Sequence, residues 1–376
     1  MSWTQTEPQL SSYLHSRGVK LGLPIGGNFE LTSRCNFRCP MCYVHSEADS
    51  QIAQRELTAQ QWIDLARQAR DMGMVFALLT GGEPFIRKDF FEIYDGFSQL
   101  GLMVSINSNG SLLSGEIRDR LLENPPFRMN ISLYGSSNDT YRNMCGQPSF
   151  DQVLGNIKAL KEAGVDVRIN HSITPYNRQD LQRIYEISRE LNIHIKVAGY
   201  MYPPVRINDG KFGCGNRLTP EEAAESSVQW DLLRLSEEEF NLRAENIHKL
   251  CMVERTECAA ELEDGIKCRA GRSCFWMTWD GRMLPCGMMP GPVAYPLETG
   301  FGDAWQQILA QSRQIHSPAE CQTCANKDVC AVCAAVCVTE TGEFDKVPEY
   351  MCRQTEAFVR ITQQEYLKRK GTKDGI

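Results

Sequence analysis

Leu31-Thr32-Ser33-Arg34-Cys35-Asn36-Phe37-Arg38-Cys39-Pro40-Met41-Cys42-Tyr43 is the stretch on which the reading of this chain turns. Its three cysteines are separated by three and then two residues, a spacing that lets three thiolates converge on one face of a small iron–sulfur cube. A [4Fe–4S] cluster normally takes four protein thiolates, so a run that stops at three leaves one iron open to a non-protein ligand. An open coordination position marks a catalytic metal site rather than a structural one. A small molecule presenting an amino and a carboxylate group would chelate there. Soft thiolates also suit zinc, which is the competing reading of the triplet alone.

Around that stretch lie 376 residues, room for about two domains. A hydrophobic fraction of 42% and a charged fraction of 23% are ordinary for a globular protein. The net charge is −7, and no basic tract or Arg-rich stripe appears, so nucleic acid is excluded as a partner class. Met1–Lys20 has no apolar signal core, and no run reaches membrane-spanning length, which predicts a cytoplasmic protein with no membrane partner. Sixteen cysteines in a reducing compartment read as metal ligation or redox chemistry, not disulfides.

Residues 1–26 read as an N-terminal segment with one short helix. Strand and helix patterns then alternate. Strands are predicted at Asn28–Thr32, Val75–Leu79, Leu102–Ile106, Met129–Leu133, Asp166–Ile173 and His194–Ala198. Helices are predicted at Thr58–Met72, with Thr58 as N-cap, and at Phe90–Leu100, Gly115–Leu122, Phe150–Ala163 and Asp180–Leu191. The fold class is therefore α/β. Right-handed β-α-β units force a parallel sheet, and six of them suit either a partial barrel or an open doubly wound sheet. The stretch 200–218 is rich in turn residues and forms the clearest break. Thr219 then caps a helix with Pro220 in its first turn, and Ser236–Lys249 is another helix.

Cys35-x3-Cys39-x2-Cys42 with an aromatic residue behind it resembles the signature of radical S-adenosylmethionine (SAM) enzymes. The resemblance implies that SAM chelates the open iron and that the reduced cluster cleaves it to a 5′-deoxyadenosyl radical. It also implies a partial (β/α)6 barrel, in which the active site lies at the C-terminal ends of the strands. SAM contacts are then implied at Met41 and Tyr43 in the cysteine loop. Gly81, Gly82, Glu83 and Pro84 follow strand two, where the family holds the amino group of SAM. Ser108 and Asn109 follow strand three near the adenosine, and Ser132 ends strand four. Arg142 would pair the SAM carboxylate or stand solvated. His171 reads as a satisfied barrel residue rather than a base.

The last third holds Cys268-x5-Cys274-x11-Cys286, framing an Asp280-Gly281 hairpin signal, then Cys321-x2-Cys324-x5-Cys330-x2-Cys333-x3-Cys337, and Cys352. This resembles the SPASM extension of radical SAM proteins, a small Cys-rich domain with a β-hairpin and helices. The resemblance implies two auxiliary [4Fe–4S] clusters, making three in all. Cys268, Cys274 and Cys286 would hold the first, with Cys333 as fourth ligand and Cys337 as the alternative. Cys321, Cys324, Cys330 and Cys352 would hold the second. Expected boundaries are 1–26 for the N-terminal segment, 27–218 for the radical SAM core and 219–260 for bridging helices. The SPASM domain would take 261–357, and a C-terminal helix or tail 358–376.

Ser132–Ile173 looks like the peptide-modifying branch, so the expected function is oxidative modification of a ribosomally made peptide: a crosslink, a thioether or a dehydrogenation. The expected partners are that peptide, a separate leader-recognition protein, and an electron donor such as flavodoxin or ferredoxin. Gly287 stands where sulfatase maturases carry an acidic residue, which argues against that activity. Peptide epimerisation is the alternative, with Cys214 or Cys145 returning the hydrogen atom. Further alternatives are a small-molecule oxidoreductase and a non-catalytic zinc or electron-transfer scaffold.

Overall fold

The strands are two-faced, and that patterning shapes the sheet. In a computed structural model, which describes residues 3–44, 50–204, 216–252 and 265–371, six strands run parallel and in chain order. They are β1 (Gly26–Glu30), β2 (Phe76–Thr80), β3 (Met103–Ser108), β4 (Arg128–Ser132), β5 (Val167–Ser172) and β6 (His194–Ala198). Alternate residues such as Leu79, Ile106 and Ile131 are fully buried and join one core with Trp62, Phe97 and Ile157 of the covering helices. The intervening residues face the other way, as a period of two requires, and toward the C-terminal ends of β3, β4 and β5 they are polar: Ser105 and Asn107, Asn130 and Ser132, Asn170 and Ser172. Asn130 Nδ2 donates to Asn107 Oδ1 at 2.9 Å across two of them. The concave face is thus polar before any ligand is considered.

The helices start where the sequence says they should. Thr58 accepts from Gln61 N and closes a capping box ahead of the helix Ala59–Asp71. Thr219 does the same with Glu222, and Ser236 with Glu239. Two helices depart from expectation. The N-terminal one is long, spanning Trp3–Leu21. Another, Asn138–Cys145, was not anticipated; Ser137 caps its start and Gly146, at φ +78°, its end.

The hairpin of the cysteine-rich region does not stand apart. Strands β7 (Cys274–Met277) and β8 (Met283–Leu284) flank the Asp280-Gly281 turn, where Gly281 sits at φ +87°. Strand β7 pairs in parallel with β1, in register from Gly26 with Cys274 to Phe29 with Met277. The sheet order is β6-β5-β4-β3-β2-β1-β7-β8, open at β6 and β8. Trp276 Nε1 donates to Glu30 Oε2 at 2.9 Å, which fixes the register with a side chain.

A second tie runs from the end of β6 to the C-terminal helices. The Arg217 guanidinium forks onto Glu340, Nη2 to Oε2 at 3.0 Å, with about a tenth of either side chain exposed. Arg217 also lies over the Tyr350 ring at 4.0 Å, and Tyr200 Oη donates to Glu340 Oε1 at 2.6 Å. Removing one partner of a buried pair strands the other charge. Glu340→Ala should therefore lower stability by about 3 kcal/mol, read as a fall in urea midpoint. An unchanged midpoint would mean that solvent replaces the carboxylate without penalty.

Candidate functional site

The cysteine loop leaves β1 and is fastened from three sides. Gly82 N–H donates to Thr32 O at 2.8 Å and Glu83 N–H to Arg34 O at 2.9 Å, laying the chain after β2 against the loop. A Cβ on Gly81 would meet Thr32 O at 2.3 Å, and one on Gly82 would meet Arg34 O at 2.2 Å. The paired glycines therefore serve the loop backbone first, leaving their cavity face open. Behind the loop, Glu56 accepts from Arg34 Nε at 2.9 Å and Nη2 at 2.8 Å. Buried Arg87 donates to Leu31 O at 2.9 Å and Leu57 O at 2.8 Å. On the third side Asn109 Nδ2 donates to Asn36 Oδ1 at 2.9 Å, and Asn36 Nδ2 to Ser111 Oγ at 2.8 Å.

Cys35, Cys39 and Cys42 consequently line one cavity of about 360 Å³ at the C-terminal ends of the strands. Phe37 N–H points at Cys35 Sγ, 3.4 Å away, and Asn109 Nδ2 at 3.7 Å. Donors of this kind suit a sulfur that carries negative charge. Burial pushes the Cys35 thiol up to about 12, so a metal bound there would have to displace its proton.

The same cavity is lined by Met41, Tyr43, Gly81, Gly82, Ser108, Asn109 and Ser132, all singled out from the sequence. Glu83 and Pro84 do not line it. Glu83 is fully buried beneath it and accepts from Asn109 N at 2.7 Å, Ser108 Oγ at 3.0 Å and Phe85 N at 3.3 Å. Arg142 is elsewhere as well, half exposed and paired with Asp139 on its own helix. Cys145 is fully buried and packs behind Cys39, outside the cavity. Cys214 lies outside the described residues. His171 donates Nδ1–H to Leu133 O at 2.7 Å, while its buried Nε2 has no partner among the described residues. Sequence reasoning passed over Asn107, Lys196, Tyr200 and Tyr202, which also line the cavity. Asn107 was discoverable, because it sits two residues before Asn109 on the same strand face.

The C-terminal cysteines surround a second cavity of about 660 Å³. Cys321 is pushed up to about 11 by burial and then by the Cys352, Cys330 and Cys324 thiols, so these four form one group. Cys333, Cys286 and Cys268 face Tyr202 instead, and with burial they hold its hydroxyl protonated. Cys337 is buried nearer Cys321 and Cys330 as well as Cys333. Cys274 does not line the cavity; it begins β7 with its sulfur 3.8 Å from His15 Nδ1 and with Cys268 as its nearest thiol influence. None of the fourteen cysteines of the described residues is in a disulfide, and no three such side chains there close on a single metal ion. They enclose a space, which suits a cluster of several atoms.

The chain thus gathers three loop thiols above the C-terminal ends of an open, mainly parallel sheet. Residues 29–187 match the model of the radical SAM superfamily, so the chain carries a radical SAM domain and is an enzyme. Its fold is that of radical SAM enzymes with a C-terminal SPASM domain. SuiB of Streptococcus suis bound to precursor peptide SuiA superposes with a TM-score of 0.66 at 18% identity, over 92% of this chain and 80% of that one. The anSMEcpe structure with bound AdoMet gives 0.67 at 16% identity, over 93% and 100%. An AdoMet-dependent heme synthase of Methanosarcina barkeri is 26% identical over 84% of this chain and 93% of its own length. A probable GTP 3′,8-cyclase of Saccharolobus solfataricus is 34% identical, but over only 44% of this chain and 53% of that protein. Among the described residues no helix is long and apolar enough to cross a membrane.

Burial raises the Glu83 carboxyl to about 7, against the pull of the Asn109, Ser108 and Phe85 donors. Between the unfolded carboxyl's ordinary value and about 7, the folded chain then holds the extra proton, so stability falls as pH rises through that window. The apo chain's urea midpoint should drop from pH 5 to 7.5, and Glu83→Gln should flatten that slope. A variant with an undiminished slope would assign the proton to another group.

Proposed function

We propose that this chain binds SAM and a [4Fe–4S] cluster in the 360 Å³ cavity and uses them to take a hydrogen atom from a substrate carbon. The observation that carries the reading is the convergence of Cys35, Cys39 and Cys42 with Gly81, Gly82, Ser108 and Ser132 on one cavity. When bound, the cluster supplies the electron that splits a C–S bond of SAM and frees the 5′-deoxyadenosyl radical. The chain's part is positional. The glycine pair leaves room beside the thiols, Ser108 and Asn109 stand where the adenosine would lie, and Ser132 ends the opposite wall. Two auxiliary [4Fe–4S] clusters fit the C-terminal cavity, one on Cys321, Cys324, Cys330 and Cys352. The other falls to Cys268, Cys286 and Cys333, which line the same cavity, with Cys274 at the start of β7 as the remaining ligand of the set. The placement of Cys333 beside Tyr202 favours it over Cys337 as a ligand.

A peptide is the substrate this reading prefers, supported by the fold shared with SuiB, whose structure holds a precursor peptide. The modification would be oxidative, with a flavodoxin or ferredoxin as electron donor in the cytoplasm and a leader-recognition protein as partner. A small-molecule substrate is the second reading, supported by the similarity to heme synthases over most of their length. Epimerisation rests on Cys214 alone, because Cys145 stands away from the cavity.

Anaerobically reconstituted protein should bind about twelve irons, three cubes' worth, and release 5′-deoxyadenosine from SAM under dithionite. Cys35→Ala should bring that release to background. Zinc in place of iron, with SAM untouched, would leave a scaffold. With a peptide encoded beside the gene, loss of two hydrogens supports oxidation, and unchanged mass with an inverted centre supports epimerisation. An unmodified peptide alongside a converted heme precursor would favour the second reading.

A further inference from the structure

The radical cavity and the cysteine-rich cavity are separate spaces, and among the described residues Tyr202 is the one side chain that lines both. Its hydroxyl lies 3.9 Å from Cys333 Sγ. Its ring packs against the second apolar cluster with Cys286, Cys333 and Met288. The ring is also held from behind. Tyr200 meets it edge to face at 4.9 Å and 79°, and Tyr200 is itself anchored through its hydroxyl to Glu340. A ring fixed in this way keeps its hydroxyl beside the Cys333 thiol, within reach of one of the two in-plane orientations of the O–H.

We propose that Tyr202 is a positioning residue that couples the two centres, its hydroxyl donating to the Cys333 thiolate of the auxiliary cluster proposed above. A reduced cluster carries one more negative charge than an oxidised one, so a donor at its sulfur stabilises the reduced form more. The hydroxyl therefore raises the potential of the cluster nearer the radical cavity and makes it the better one-electron acceptor. With that cluster bound, the electron it would accept is the one surrendered by the substrate-centred radical, which would lose one proton to solvent as its new bond closes.

The test is an anaerobic redox titration of the reconstituted holoenzyme followed by electron paramagnetic resonance. Tyr202→Phe keeps the ring and removes only the proton. At a potential that half-reduces the wild-type auxiliary cluster, the ratio of reduced to oxidised cluster should fall about fivefold, the weight of one hydrogen bond. The Cys35 cluster should titrate unchanged, and Tyr202→Leu should shift the auxiliary cluster as far as Tyr202→Phe does. Twelve irons with an auxiliary potential indifferent to Tyr202→Phe would overturn this proposal alone. A wild-type chain that binds only four irons would overturn the auxiliary-cluster reading and this proposal with it.

Discussion

Two backbone hydrogen bonds, from Gly82 to Thr32 and from Glu83 to Arg34, hold the cysteine loop against the end of the second strand. Side chains at Gly81 and Gly82 would push the two segments apart, since each Cβ would stand well inside contact distance of a carbonyl oxygen. Everything chemical in the first cavity depends on that approach. It sets where the three thiols emerge, and it leaves the chain's remaining polar groups to face inward around them. The charged pairs behind the loop, Glu56 with Arg34 and Arg87, keep that geometry from relaxing, because few of their polar atoms have water as an alternative partner.

Burial acts on both cavities in the same sense. Cys35 in the first cavity and Cys337 in the second are each pushed up to about 12, which favours neutral thiols in low-dielectric surroundings. Neutral thiols repel one another little and can sit close together while the chain folds. The polar concave face of the sheet, by contrast, uses amides and hydroxyls such as Asn107, Asn130 and Ser132, which need no counter-ion.

Much of this was legible because local chemistry and global fold agree. Thr58, Thr219 and Ser236 announce helices through capping boxes that need only four residues to recognise. The cysteine spacings announce their loops for the same reason, since ligation is a local geometric demand. What stayed hidden depends on residues far apart in the chain. Nothing in Cys274–Met277 says that it will pair with Gly26–Phe29, because parallel pairing leaves no turn signal. Tyr202 matters through Cys333, which follows 131 residues later. Glu83 is expected among the SAM contacts of the Gly-Gly-Glu-Pro run, yet it is sealed by donors from the next strand's end. The helix Asn138–Cys145 was within reach, for Ser137 and Gly146 mark both its ends.

The parallel seam between β1 and β7 has a consequence for how the two halves can be handled, by experiment or by evolution. Cut the chain before the hairpin, and β1 becomes the margin of the sheet, offering unsatisfied amides beside Phe29 and Phe275's vacated socket. Exposed margins of that kind recruit strands from other molecules. The barrel is thus not a portable module to which a cysteine-rich domain was appended; the appended piece hems it.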